Sequence, residues 1–410
     1  MSNSILVYQN NDGNFFVKCN QTGGIIKFTP NFYDKFLNHD EGIIMKLKSI
    51  SFFPIVKVTH ALSLFVMVNN SCNLNCSYCF EHEKNNSYFN ENKINLFIDE
   101  IKKLIKRFNY NYLNITYTGG EPLMYFNAII QLTDKLKTIC DNNIKIDFFI
   151  ITNGTLINNL MLEFIEKNNI SLQITLDGNR DIHDSFRYYK NHKGTFDDIV
   201  AKLEVIKAGH NIPVNIRINI SQESFSIYED LLSFLYNKFP NYKIYIDFVD
   251  VEKTSPLYLT NKQKIVFFDE YLSHGKKFNR KDFVNYIEGG YCMARNQDSF
   301  TIDSNFRFYR CYSFVQSNVF SYNDLETMLK SHKENPLICN KCDCEVYNFC
   351  NGGCIYKNYV ANSKLGIKCN KELIKTFNNL IFMHELNQKC DIKLNIEDFN
   401  EKVKYCNFDI

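Results

Sequence analysis

The chain has no tryptophan, no internal repeat, no long apolar run and no excess of either charge. Each absence narrows the field. A membrane-spanning helix needs a run of about 18 apolar residues, and none occurs in the 410 residues. The start, Met1-Ser2-Asn3-Ser4-Ile5, has no basic stretch ahead of an apolar segment. A secretory signal is therefore not expected, and a cytoplasmic location is. Basic and acidic residues number 47 and 45, for a net charge of +2. That balance gives no electrostatic footprint for nucleic acid. The missing tryptophan, beside abundant Asn, Lys and Ile, reads as coding bias and carries no function. No low-complexity linker separates one part of the chain from another.

Cysteine is what the chain has in quantity, with 15 residues. A chain this long can bury a sizeable core, so it does not need disulfides in place of one. In a reducing compartment such a count points to metal or redox chemistry. The placement is uneven. Cys72, Cys76 and Cys79 form one tight group, and eight more run from Cys292 to Cys369. Cys19, Cys140, Cys390 and Cys406 stand apart and read as small buried apolar residues.

Between the two groups, strand and helix signals alternate. Leu62–Val68 is a short apolar run before the polar cysteine loop. Ile94, Phe97, Ile98, Ile101, Leu104, Ile105 and Phe108 recur at steps of mostly three and four, which predicts an amphipathic helix. Leu113–Tyr117 reads as a strand running to Gly119-Gly120, Ala128–Ile139 as a helix, and Ile146–Ile151 as a strand. Leu160–Lys167 reads as a helix, and Leu172–Leu176 as a strand ending at Asp177-Gly178. Phe196–Lys207 reads as a helix with Thr195 as its N-cap. Val214–Ile220 and Ile244–Val249 are strands around a helix at Tyr228–Leu235. Repeated βα units imply a parallel sheet, open or curved into a barrel. Chemistry then belongs at the C-terminal ends of the strands, where the glycine and polar motifs fall. Before this region, Ile5–Tyr8, Phe15–Cys19 and Ile25–Phe28 read as short strands and Phe32–Leu37 as a helix.

Three thiolates at these spacings can ligate one metal centre and leave a coordination position open. Zinc is one reading, with His60 or His82 as a fourth ligand. Other motifs bear on the choice. Cys72-x3-Cys76-x2-Cys79, with Tyr78 before the last cysteine, resembles the signature of radical S-adenosylmethionine (SAM) enzymes. Gly119-Gly120-Glu121-Pro122, Thr152-Asn153-Gly154, Leu176-Asp177-Gly178, His183-Asp184, Arg187 and Gly194-Thr195-Phe196 follow in the family's order. The succession, over residues 60 to 250, is similar to radical SAM enzymes that carry a SPASM domain.

The resemblance implies an α/β fold, a partial (β/α)6 TIM-like barrel, with a C-terminal cysteine-rich SPASM domain. It implies a [4Fe–4S] cluster on Cys72, Cys76 and Cys79, with SAM on the free iron. Reductive cleavage of SAM then yields a 5′-deoxyadenosyl radical that takes hydrogen from the substrate. Cofactor contacts follow for Tyr78, Gly119, Gly120, Glu121, Asn153, Thr175, Asp177 and Arg187. The glycines admit close backbone approach, Asn153 suits the ribose, and Arg187 suits a carboxylate. Glu121 serves the SAM amino group or the strand end alone, and Asp177 equally reads as a turn residue. His183 also reads as structural.

The C-terminal run Cys339-x2-Cys342-x-Cys344-x5-Cys350-x3-Cys354, then Cys369, with Cys292 and Cys311 ahead, supplies eight thiols for two four-cysteine clusters. Taken alone, paired zinc ribbons compete. The resemblance implies two auxiliary [4Fe–4S] clusters. Cys292, Cys311 and Cys354 fall to the first. Cys350, Cys369 and two of Cys339, Cys342 and Cys344 fall to the second. The pattern departs from the family where no glycine stands four residues before Cys311, and Asn305 is expected to make that turn.

Expected divisions are 1–60, a strand/helix module suited to leader-peptide recognition; 61–255, the radical SAM core; 256–285, a linker helix region; 286–375, the SPASM domain; and 376–410, an extension. Enzymes of this kind act on peptides or proteins. In the sulfatase-maturating type an Asp follows the cysteine matching Cys311, and here Tyr312 stands there. The favoured expectation is an oxidoreductase that matures a ribosomally made precursor peptide, forming a thioether from a cysteine sulfur to carbon. Its partners are that peptide and an electron donor such as flavodoxin or ferredoxin, with no nucleic acid or membrane. Sulfatase maturation is the alternative. An iron–sulfur electron carrier or a zinc-stabilised binding protein would leave the SAM motifs without a use.

Overall fold

A computed structural model describes residues 3–19, 22, 24–52, 60–81, 84–140, 143–274, 292–334, 344, 346, 354–362, 369, 371–390 and 393–408. The expected βα alternation is present. Six strands follow in order: β4 (Ala61–Asn69), β5 (Tyr112–Gly119), β6 (Lys145–Thr152), β7 (Ser171–Thr175), β8 (Val214–Ile220) and β9 (Lys243–Phe248). The helices between them are α3 (Glu91–Phe108), α4 (Phe126–Ile139), α5 (Asn159–Lys167), α6 (Arg180–Phe186), α7 (Phe196–Gly209) and α8 (Tyr228–Lys238). Each strand pairs in parallel with the next. Leu64, Val66, Ile115, Tyr117, Phe148, Ile150, Leu172 and Ile174 join the buried core shared with the helices. Their alternates, Ser63, Asn114 and Asp147, then Phe65, Thr116 and Phe149, lie side by side in register and line the lumen. Side chains alternate across a strand, so one strand faces a dry core and a polar lumen at once.

The sheet extends beyond the six strands. β10 (Ser299–Ile302), far along the chain, pairs in parallel with β4. β11 (Phe308–Tyr309) and β12 (Ser321–Tyr322) continue it antiparallel. The expected SPASM segment therefore donates an edge to the barrel sheet. The turn before Cys311 places its left-handed residue at Phe306 (φ 64°) and not at Asn305. Asn305 instead donates its backbone N–H to Asp303 Oδ1 at 2.9 Å and accepts from Ser87. Phe306 is held there by packing near Phe89 and Phe308.

A second, antiparallel sheet contains β1 (Asn3–Gln9), β2 (Phe15–Cys19) and β3 (Ile25–Phe28), with α1 (Pro30–Leu37) and α2 (Glu41–Ser49) after them. Its fourth strand is β13 (Val403–Phe408), which pairs with β1. The two ends of the chain thus share one sheet. Ile5, Val7, Val17 and Cys19 face a small core with Tyr33, Phe36 and Leu47. Leu6, Tyr8 and Phe16 face the main core. On that second face Lys18 is buried and pairs with Glu385 at 2.8 Å. Glu385 sits on α12 (Lys371–Lys389), which follows α9 (Asn261–Ser273), α10 (Leu325–Glu334) and α11 (Ile355–Asn362); α13 (Ile396–Lys402) comes after it. α12 runs through the expected boundary at 375/376. Among the described residues no helix is long and apolar enough to cross a membrane.

His332, on α10, is buried beside Arg310, and neither ring nitrogen has a partner among the described residues. Burial, then the Arg310 charge, push its pKa down to about 4. A histidine depressed in the fold binds its proton more readily when unfolded. Its penalty is absent above pH 6.5 and grows as pH falls toward 4. The expected cost is about 3 kcal/mol at pH 4. Urea unfolding of wild type and His332→Leu at pH 7.5 and pH 4.5 checks this: the wild type should lose more stability than the variant, and parallel losses would refute it.

Candidate active site

The cysteine loop leaves the C-terminal end of β4 and is gripped from two sides. On one side β5 is stitched to it: Gly120 N–H donates to Asn69 O at 3.0 Å and Glu121 N–H to Ser71 O at 2.8 Å. Gly119 has φ +140°, and a Cβ there would lie 2.3 Å from Asn69 O; one on Gly120 would lie 2.2 Å from Ser71 O. The close approach these glycines permit is to the backbone of the cysteine loop. On the other side Asn75 N–H donates to Tyr188 O and Ser77 N–H to Phe186 O, at 2.8 and 2.9 Å.

Cys72, Cys76 and Cys79 are reduced thiols on this loop. Burial, reinforced by the Glu121 carboxylate, pushes Cys72 up to about 12. Burial also raises Cys76. Thiols so raised need a cationic centre to become thiolates, and with Cys79 on the same pinned loop the three suit a cluster with an open corner. A mononuclear ion needs ligands converging on one point, and no such group of three exists among the described residues. A four-iron cube takes its ligands at separate corners. His60 stands at the opposite end of β4, tilted against Tyr110, ~25 Å of strand away. His82 lies outside the described residues.

Beside the loop, Glu121 is fully buried and spans two strand ends. Its Oε1 accepts from Leu123 N–H and Thr152 Oγ1, and its Oε2 from Asn153 N–H at 2.7 Å. Asn153 donates to Asn73 Oδ1 at 2.9 Å and accepts from Thr155. Thr175 is buried at the end of β7. Asp177 is fully buried; Oδ1 accepts from Asn219 N–H at 2.7 Å and Nδ2 at 3.0 Å, and Oδ2 accepts from Tyr78. Burial pushes its carboxyl up, opposed by Arg187 and those donors. Arg187 Nη1 donates to Tyr78 at 2.8 Å and lies 3.8 Å from Asp177 Oδ2. Arg187 is buried, its Nε has no partner among the described residues, and its charge acts on Cys76. It is not a solvated helix-side charge.

His183 ties this cluster together. Its Nδ1 accepts from Asp177 N–H at 3.1 Å, which leaves the proton on Nε2 for Thr195 Oγ1 at 3.0 Å. Thr195 Oγ1 in turn donates to Arg187 O at 2.8 Å. Thr195 therefore does not cap α7 with its side chain, as expected from sequence. Asp184 does the capping instead, accepting from Thr195 N–H and Phe196 N–H at 2.7 and 2.9 Å.

Below this rim lies a cavity of about 870 Å³, lined by Phe65, Arg217, Tyr245, Asp247, Asp250 and Lys357 among others. Lys357 bridges Asp247 at 2.7 Å and Asp250 at 3.5 Å, and Arg217 reaches Asp247 at 3.6 Å. Cys292, Cys311 and Cys354 open onto the same cavity.

Residues 66–235 match the model of the radical SAM superfamily. The chain carries a radical SAM domain. The radical SAM cyclopropyl synthase TigE of Paramaledivibacter caminithermalis is 30% identical over 187 residues, 42% of this chain and 38% of that protein. The cysteine-type anaerobic sulfatase-maturating enzyme of Clostridium novyi is 32% identical over 184 residues, 41% of this chain and 47% of that protein. The chain thus matches less than half the length of either relative. Among solved structures, anSMEcpe with bound AdoMet and Kp18Cys peptide superposes with a TM-score of 0.68 at 18% identity, over 81% of this chain and all of that one. That likeness extends the fold beyond the radical SAM domain.

Outside the radical SAM domain, burial and then the Cys354 thiol raise Cys311 to about 12. Cys344 and Cys369 are reduced. Cys339, Cys342 and Cys350, with Gly352-Gly353, lie outside the described residues. Tyr312 stacks on Phe65 with centroids 5.2 Å apart. Phe80, next to Cys79, meets Tyr312 and Tyr356 edge-on at 5.9 and 6.3 Å. This aromatic bridge between the two cysteine groups, like Asn219 beneath Asp177, had no sequence signal, because both depend on residues far apart in the chain. Of the four remaining cysteines, expected to be buried, Cys19 is, whereas Cys140, Cys390 and Cys406 are half-buried and pack against the cores.

Proposed function

We propose that the protein is a radical SAM peptide maturase. The observation that carries this reading is the meeting, at the C-terminal mouth of the lumen, of three cysteines on one pinned loop with a buried Arg187 whose Nε has no partner among the described residues. A buried guanidinium donor left unpaired is costly, and a carboxylate suits it. Cys72, Cys76 and Cys79 hold a [4Fe–4S] cluster, and Arg187 offers Nε to the SAM carboxylate. Bound there, cluster and SAM supply a 5′-deoxyadenosyl radical by one-electron cleavage. Asp177 and Tyr78 keep Arg187 oriented; Asn153 and Thr175 face the nucleoside, and Gly119, Gly120 and Glu121 fix the loop that presents the thiols. The lumen excludes water and takes the peptide.

Support for a peptide substrate comes from the Kp18Cys peptide bound to anSMEcpe. Cys292, Cys311 and Cys354 are assigned to a first auxiliary cluster, and Cys350 and Cys369 with two of Cys339, Cys342 and Cys344 to a second. The edge of β3, which ends its sheet among the described residues, suits a leader strand by β-augmentation. The electron donor is a flavodoxin or ferredoxin. A thioether is the proposed product. Sulfatase maturation is the second reading, favoured by the Clostridium novyi relative and disfavoured by Tyr312, which offers a stacked phenol in place of a carboxylate.

The test is anaerobic reconstitution followed by reduction with dithionite in the presence of SAM. The wild type should release 5′-deoxyadenosine, and Cys79→Ala should release none and lose about four irons. SAM cleavage by Cys79→Ala overturns the proposal. Co-expression with a cysteine-containing precursor peptide then separates the readings by mass. A loss of two hydrogens with the cysteine blocked to alkylation marks the thioether, and a formylglycine in a sulfatase peptide marks the alternative.

A further inference from the structure

Lys84, five residues beyond the last cysteine of the triad, has no place in the chemistry described so far. Its Nζ lies 3.3 Å from Cys79 Sγ. Its charge also acts on Cys72 and Cys76. The ammonium therefore stands within electrostatic reach of all three thiols. Glu81, a buried carboxylate, holds it from behind, with Oε2 at 3.7 Å. Arg187 also acts on Cys76 but is tied to Tyr78 and Asp177.

We propose that Lys84 tunes the reduction potential of the cluster held by Cys72, Cys76 and Cys79, as the cation that offsets the incoming electron. This rests on the assignment of a cluster to that triad. Reduction adds one negative charge to a centre on one buried and two half-buried thiols. A cation beside a ligating sulfur stabilises the reduced form more than the oxidised one, and an N–H donor to the sulfur acts in the same sense. Glu81 works against it, so the pair sets the potential through opposite charges. The consequence is functional: the potential determines which one-electron donors can drive the enzyme.

The measurement is a redox titration followed by electron paramagnetic resonance on the reconstituted full chain. The signal tracked is the one lost in Cys79→Ala. Lys84→Met is expected to lower the reduced-to-oxidised ratio about tenfold at a fixed potential, a fall of about 59 mV for a one-electron couple. Lys84→Arg should titrate near the wild type. Glu81→Gln should shift the midpoint upward, which general loosening of the loop would not do. A Cys79-dependent signal that Lys84→Met leaves in place, or that Lys84→Met and Glu81→Gln move the same way, overturns this proposal alone. A preparation with no Cys79-dependent signal overturns the cluster assignment as well.

Discussion

Gly120→Ala is expected to abolish SAM cleavage although it alters no cysteine. The added Cβ would meet Ser71 O at 2.2 Å, Ser71 C at 2.6 Å and Asn70 O at 2.9 Å. All three are backbone atoms, so no side chain can swing aside. Real Cβ contacts of this kind do not fall much below 3 Å, and interiors packed to crystal density do not absorb the difference. β5 is anchored by Ile115 and Tyr117, both buried, so the cysteine loop is the part that moves. Two hydrogen bonds, from Gly120 N–H to Asn69 O and from Glu121 N–H to Ser71 O, go with it. The expected result is a loss of about four irons per chain, 5′-deoxyadenosine at the level of Cys79→Ala, and an unchanged circular dichroism spectrum. Full iron loading with normal SAM cleavage would show that the loop tolerates displacement.

Asp177→Ala should both destabilise the protein and remove SAM binding, and the two losses can be separated. The carboxylate accepts from Asn219 twice and from Tyr78, and faces Arg187 at 3.8 Å. Its removal leaves a buried guanidinium without its counter-charge, a change of about 3–5 kcal/mol in stability. The double variant Asp177→Ala/Arg187→Met removes the stranded charge and should recover much of that stability. It should not recover SAM binding, since the carboxylate partner is gone. Denaturant unfolding paired with SAM binding by calorimetry reads both quantities. Stability losses that simply add would mean that Asp177 and Arg187 do not act as a pair.

Much of this arrangement was legible in the chain. Period-two and period-3.6 patterns placed β5 to β9 and α3, α4, α5, α7 and α8 within a few residues, because each strand and helix buries one face and the pattern records which. The thiols of Cys72, Cys76 and Cys79 were legible from spacing alone, and Gly119-Gly120 from their place at a strand end. Other features were not. Thr195 reads as a cap, but its hydroxyl serves Arg187 and His183, since Asp184 reaches the helix end first. Asn305 reads as the left-handed turn residue, but Phe306 takes that conformation because two aromatic rings hold it. α2 and α6 are short, with too few turns to show a period, and α6 is polar besides.

By itself the sequence determined the six βα units, the cysteine groups and the order of motifs around a radical SAM domain. These are local: they depend on residues a few positions apart. Tertiary structure alone decided what those motifs touch. It joined β13 to β1 and β10 to β4, across nearly 400 and more than 200 residues. It set Asn219 under Asp177, Phe80 against Tyr312, and the Glu81–Lys84 pair beside the thiols. Strand pairing and burial of charge are settled by which surfaces meet, and no spacing along the chain encodes that.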